Sequence, residues 1–258
     1  MRWILSLPVW LSLIACAGSQ TQVETPPVPD LPDPEPQAPG LRTDLPLASL
    51  SPTWKTCGAW DFERMALDQG PRRWDPESRD ELAAELQGQD QTAVRAAVLL
   101  AWGSSESHGL LLAELELRMP VPERNGDAAL IVAAAALASS AAPAGAAERL
   151  VALSMGQPSP SIPHPDLEVR VECAAAALSR GQTAVIPFLL RVLHAGTPAE
   201  IKDPIDWAFT DKLAWSKSRA AESLSRRAGL PCRFQPDGSF ANQMDEARVL
   251  EAALQLPD

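Results

Sequence analysis

The chain has 258 residues, a formal net charge of −11 and 46 % hydrophobic residues, with 25 prolines, eight tryptophans and no tyrosine. That acidity argues against a nucleic-acid binder, which needs a basic face, and against attraction to an anionic lipid surface. Three histidines and four cysteines leave little material for a metal centre or a disulfide scaffold.

In chain order, the first element is a short apolar run over 3–15 behind Arg2. A basic start, an apolar stretch and a small residue before the cut describe a secretory signal peptide. The run is about 13 residues, too short for the roughly 20 of a membrane-spanning helix. Leu13-Ile14-Ala15-Cys16 resembles the lipobox of bacterial lipoproteins. That resemblance implies cleavage after Ala15 and acylation of Cys16, so that the chain is anchored to a membrane rather than threaded through it. More than one acyl chain is needed for stable attachment. Ala17 follows the cysteine, where the same family carries Asp to remain in the inner membrane. The expected location is therefore the bacterial cell envelope, at the outer membrane.

Residues 16–53 follow as a Pro-rich acidic linker, with Thr25-Pro26-Pro27-Val28-Pro29-Asp30-Leu31-Pro32-Asp33-Pro34-Glu35-Pro36 at its centre. Proline removes amide donors and fixes φ, so neither helix nor ladder propagates, and the segment buries too little apolar surface to fold. At about 3.1 Å per residue, some thirty extended residues hold a domain up to roughly 90 Å from the lipid.

From Trp54 to the end, residues 54–258, alanine is abundant and alternating runs are short, which predicts an all-α fold. A self-similar unit is visible. Val94-Arg95-Ala96-Ala97-Val98-Leu99-Leu100-Ala101 matches Val169-Arg170-Val171-Glu172-Cys173-Ala174-Ala175-Ala176. Ser218-Arg219-Ala220-Ala221-Glu222-Ser223-Leu224 is a weaker copy, and residues 127–137 form one without the arginine. Each copy opens a pair of helices, predicted over 60–69 with 75–87, 90–103 with 107–118, 127–139 with 143–155, 166–181 with 183–196, and 211–228 with 242–254. In the fourth pair Asp166 is the expected N-cap, Gly181 the left-handed stop, Thr183 the next cap, and Pro187 a first-turn residue. Gly156 closes the third pair and Gly229 the first helix of the fifth.

This pattern resembles HEAT repeats, in particular the Ala-rich form of the phycobilisome-lyase-type repeat proteins. Val94-Arg95 and Val169-Arg170 with their Ala/Leu runs carry the likeness, and residues 182–193 resemble that family's second helix. The resemblance implies an α-solenoid of about five HEAT-like helical hairpins. A single hairpin cannot bury its own apolar face, so each needs its neighbour. Arg95 and Arg170 are expected to pair locally, Arg170 with Asp166.

No catalytic or cofactor-binding group is expected. His108, His164 and His194 fall in different repeats, at no metal spacing. Gly103-Ser104-Ser105-Glu106-Ser107-His108-Gly109 lacks the spacing of a serine-hydrolase elbow and reads as a turn with Ser107 as a helix cap. Asp203, Asp206 and Asp211 do not follow a calcium loop. Cys173 reads as a buried free thiol; Cys57 and Cys232 would lie far apart in a repeat stack, and a bridge between them is expected only if the N-terminal segment folds back. The insert before the fifth unit is aromatic-rich, and Trp207, Phe209 and Trp215 are the candidate partner-binding residues, the alternative being that they fill an enlarged gap between repeats. Trp54 and Trp60 are expected to cover the N-terminal edge. The function these features predict is a monomeric, membrane-anchored, non-catalytic scaffold that binds a protein partner. The alternatives are a structural envelope spacer and, by fold analogy alone, a lyase-like enzyme using Cys57 or Cys232.

Overall fold

The computed structural model describes residues 46–47, 50, 53–58, 61–62, 73–88, 91–117, 128–157, 161–196 and 204–254, with the backbone alone over 204–209. The leader, Cys16 and the Pro-rich stretch up to residue 45 lie outside the described residues. Among those described, the fold is all-α: α1 (Pro76–Leu86), α2 (Gln91–Ala101), α3 (Ser105–Leu117), α4 (Ala128–Ala136), α5 (Ala146–Met155), α6 (Leu167–Ser179), a 3-10 turn (Thr183–Val185), α7 (Ile186–His194), α8 (Pro204–Ala228) and α9 (Phe240–Ala253).

The punctuation residues act as the sequence predicts. Asp75 caps α1 by accepting the Ser78 N–H at 2.7 Å, with Pro76 in the first turn. Asp166 Oδ1 caps α6 through the N–H groups of Glu168 and Val169 at 2.8 and 3.2 Å. Gly156 ends α5 at φ 70°, and Gly181 follows α6 at φ 89°. Pro187 lies in the first turn of α7. Thr183 belongs to the 3-10 turn that leads into α7 rather than capping the helix directly.

Gly156 is constrained twice. Besides its left-handed backbone, a Cβ there would meet Pro163 Cδ at 2.6 Å and the Ser161 carbonyl oxygen at 2.9 Å, whereas a Cβ on Gly181 would meet nothing within 4 Å. Left-handed backbone alone costs an L-residue about 1–2 kcal/mol. Gly156→Ala is therefore expected to destabilise clearly more than Gly181→Ala. Urea unfolding of the two variants measures the difference, and equal costs would mean the Pro163 loop yields freely.

Packing follows an ordered pattern. α2 touches α4, α4 touches α6 and α6 touches α8, while α3, α5, α7 and α9 pack against these first helices. Helices with neighbours on several sides keep little solvent-facing surface. Ala129, Leu130, Val132, Ala133, Ala134, Ala135 and Ala136 of α4 are all buried, as is the run from Val171 to Leu178 in α6. Alanine suits such positions because it lets helix axes approach at the near end of 8–10 Å.

Three boundaries differ from expectation. Leu47 and Leu50 are each only 3 % exposed and belong to the core, and the Leu47 N–H donates to Ser78 Oγ at 2.5 Å. Packing thus starts ahead of residue 54, because two leucines three positions apart give the end of the linker an apolar face. α3 begins at Ser105, so Ser107 lies inside its first turn and is not the cap. α8 begins at Pro204 instead of 211, since proline is tolerated in a first turn and does not interrupt the segment. The helix predicted over 60–69 is described only at residues 61–62, which are helical.

The repeat arginines reach the preceding unit. Arg95 donates from Nη2 to the Cys57 carbonyl at 2.7 Å and from Nη1 to the Lys55 carbonyl, with its guanidinium 5.7 Å from the Phe62 ring centre. Arg170 donates from Nε to the Ser154 carbonyl at 2.8 Å and stacks 4.9 Å from Phe188. Arg219 grips Glu172 of α6 at 2.6 Å through two bonds. The expected Arg170–Asp166 pair is replaced by these contacts. Asp166 spends one carboxylate oxygen on its cap and the other on Lys212 Nζ, 3.2 Å away.

Candidate functional site

The predicted partner-binding aromatics lie on the N-terminal part of α8. Trp207 and Phe209 sit in its first turns, where only the backbone is described. Trp215, two turns further on, is half-buried and packs against the core, so part of its ring serves the helix interface. Near this end α8 meets the start of α6: Lys212 of α8 reaches Asp166, the N-cap of α6, with Glu168 in the first turn of α6 and His164 just before it. Lys212 ties the two helices together through Asp166, whose side chain is 8 % exposed.

Glu168 was not singled out by sequence, although an Asp-x-Glu start to a helix carries two acids in one turn. Its carboxyl is pushed up to about 7, first by burial, then by the neighbouring Asp166 carboxylate, with Lys212 pulling the other way. Burial, and then the positive charge of Arg191, lowers the value of Arg170 below that of an ordinary guanidinium.

The three histidines hold structure. His108 is 1 % exposed and its Nε2 lies 2.9 Å from the Ala101 carbonyl at the end of α2. Burial depresses its pKa, which keeps the ring neutral and Nε2 the donor. His164 is buried, accepts the Asp166 N–H at Nδ1 over 3.2 Å, and gives its own N–H to the Leu153 carbonyl. His194 Nε2 lies 3.8 Å from a Glu251 carboxylate oxygen. Among the described residues no three His, Cys, Asp or Glu side chains are placed to hold a metal.

Cys57, Cys173 and Cys232 are free thiols. Cys57 is half-buried with Sγ 3.4 Å from the Trp54 carbonyl, and Cys232 is exposed. Cys173 is buried as predicted, and burial, helped by Glu172, pushes its thiol well above the usual range, so it is unreactive. The serine-rich turn at 103–109 is a close helix approach. Ser107 is fully buried, and a Cβ on Gly103 would fall 2.3 Å from its Oγ. Of the edge tryptophans, Trp54 is buried, with Lys55 Nζ 5.5 Å from its ring centre, and Trp60 lies outside the described residues. Asp211 is exposed at the α8 surface; Asp203 lies outside the described residues.

A shallow cleft of about 360 Å³ beside α9, lined by Arg233, Asn242, Asp245 and Glu246 among others, gathers none of the predicted residues. Among the described residues no helix is long and apolar enough to cross a membrane. No family model matches the chain, and no curated protein or solved structure is similar to it.

Proposed function

We propose that this chain is a lipid-anchored, non-catalytic scaffold of the bacterial envelope. About five HEAT-like hairpins present the start of α8 to a protein partner, and a Pro-rich linker sets them off from the membrane. The observation that carries this reading is the sequential contact of α2, α4, α6 and α8, with Arg95, Arg170 and Arg219 each reaching back to the unit before. Stability in such an array is a sum over neighbouring units, and extended faces of this kind are used for binding. The Leu13-Ile14-Ala15-Cys16 sequence supports the anchor, and Ala17 supports the outer membrane.

The anchor and the scaffold are tested separately. The wild-type chain is expected to incorporate an alkyne-labelled fatty acid and to sediment with membranes. Cys16→Ser should lose the label and leave the membrane fraction, and label retained on the Ser variant would remove Cys16 from its role. For the partner face, crosslinking in intact cells followed by capture is expected to recover a protein whose yield drops in Trp207→Ala and Trp215→Ala. Unchanged recovery would take the start of α8 out of consideration. If deletions within 21–45 abolish function while recovery stays intact, the chain acts as a spacer instead. Such deletions must stop short of Leu47, which belongs to the core.

A further inference from the structure

The end of the linker is clasped onto the array. Residues 53–57 form a single turn, with the Thr56 and Cys57 N–H groups both donating to the Thr53 carbonyl at 2.8 Å. A turn that short leaves its later carbonyls without helical donors. Arg95 of α2 takes two of them, Lys55 through Nη1 and Cys57 through Nη2 at 2.7 Å. The Phe62 ring lies 5.7 Å from the same guanidinium, and the Phe62 N–H closes on the Gly58 carbonyl at 2.9 Å. Arg170 is served alike inside the array, by the Ser154 carbonyl in the last turn of α5 and by the Phe188 ring. The turn therefore stands where a preceding unit would stand. Further holds reach α1: the Leu47 N–H donates to Ser78 Oγ at 2.5 Å, and Lys55 Nζ pairs with Glu81 at 3.0 Å and with Glu85. Leu47, Leu50 and Trp54 are buried beside them. All of these holds end on α1 and α2, whereas α4 packs on α6 and α6 on α8 further along the array.

We propose that residues 47–58 are a releasable clasp between the linker and the array: they lift off α1 and α2 as one unit while α4 to α9 stay folded. Each unit of such an array leans on its neighbours, so the end opens at lower free energy than the middle. Lifting the clasp uncovers the Arg95 guanidinium and the Lys55 ammonium to water, so neither charge is stranded in the interior. Release adds residues 47–58 to the linker, about 40 Å of extended chain. A load on the linker is met first by the clasp, which is the first packed segment after the prolines, and the units beyond α2 are spared. That consequence rests on the membrane anchor proposed above, but the clasp itself is measured without lipid.

Thiol labelling of the full chain carrying Cys16→Ser tests this, because the other three cysteines sample three places. Cys57 belongs to the clasp, Cys173 is buried within α6, and Cys232 is exposed. Each labelling rate with N-ethylmaleimide is divided by that of the same thiol in the urea-unfolded chain. Cys232 is expected near its unfolded rate, Cys57 well below it and Cys173 lower still. Leu50→Ala should speed Cys57 about tenfold or more, the effect of emptying a buried leucine site. Arg219→Ala weakens the closed and the clasp-open states alike, so it should speed Cys173 and leave Cys57 unchanged. Cys57 rising in step with Cys173 in that variant would mean that the segment opens only with the whole array, and would overturn the clasp. So would wild-type Cys57 reacting as fast as Cys232, or an unmoved Cys57 rate in Leu50→Ala. If Arg219→Ala fails to fold, the chain without it decides in sub-denaturing urea. There the Cys57 rate should rise less steeply with urea than that of Cys173, because clasp opening exposes less surface, and equal slopes overturn the clasp. A fatty-acid label missing from wild-type Cys16 sinks the anchor alone, and equal urea slopes sink the clasp alone.

Discussion

Arg219→Ala is expected to lower stability by about 3–5 kcal/mol, the range for stripping one partner from a buried ion pair. Glu172 is 0 % exposed in the middle of α6, and both its carboxylate oxygens accept from Arg219, at 2.6 Å each. Without the guanidinium that carboxylate stays in the interior, stripped of the donor that both its oxygens use. The reverse substitution is milder. After Glu172→Ala, Arg219 keeps Glu222, 3.0 Å away and 32 % exposed, and can lean toward water. Guanidinium chloride unfolding should therefore rank Arg219→Ala well below Glu172→Ala in stability. Replacing both by Met should recover much of the loss, because an apolar pair no longer carries a desolvation cost. If the two single variants lose equally, the pair's partners on α8 do not share its charge as the geometry indicates.

How much of this was readable beforehand divides along the range of the interaction. The alanine runs after Arg95 and Arg170, the Asp75 and Asp166 caps, the left-handed Gly156 and Gly181 and the first-turn Pro187 are all local, and each sits where its stereochemistry demands. Burial of Cys173 followed from the small residues around it. The targets of the arginines were not readable. Arg170 has Asp166 four residues away, an arrangement that stabilises isolated helices by about 0.2–0.5 kcal/mol. A backbone carbonyl at the end of α5 and the Phe188 face outcompete it, because a buried orphan carbonyl costs more than a surface pair contributes. Lys212 meeting Asp166 across 46 residues has no periodic signature either. The raised Glu168 carboxyl was not readable either, because burial, its main cause, comes from packing and leaves no local mark. Leu47 and Leu50 were hidden by the prolines around them, which mask an apolar pair at i, i+3.

Trp74→Ala is expected to cost about 3–5 kcal/mol, and Trp74→Phe roughly 1–3 kcal/mol, for separable reasons. The last turn of α2 shows complete accounting of its carbonyls. Val98 accepts from the Trp102 N–H at 3.2 Å, Leu100 from the Gly103 N–H at 2.9 Å, and Ala101 from His108 Nε2 at 2.9 Å. Leu99 accepts from the Trp74 indole at 3.0 Å. A helix leaves its final carbonyls without intrahelical donors, and here two of the four are met by side chains from the flanking segments. Trp74 is 1 % exposed and lies just before the Asp75 cap of α1, so its indole ties the start of one helix to the end of the next. Phenylalanine preserves most of the buried ring and removes only the donor, leaving the Leu99 carbonyl unpaired in the core. Alanine removes both and opens a cavity among residues with no room to collapse. Urea midpoints should order wild type, Phe, Ala. Coincidence of Phe with wild type would mean that Leu99 finds another donor, and coincidence of Phe with Ala would place the whole cost in the hydrogen bond and none in the packing of α1 on α2.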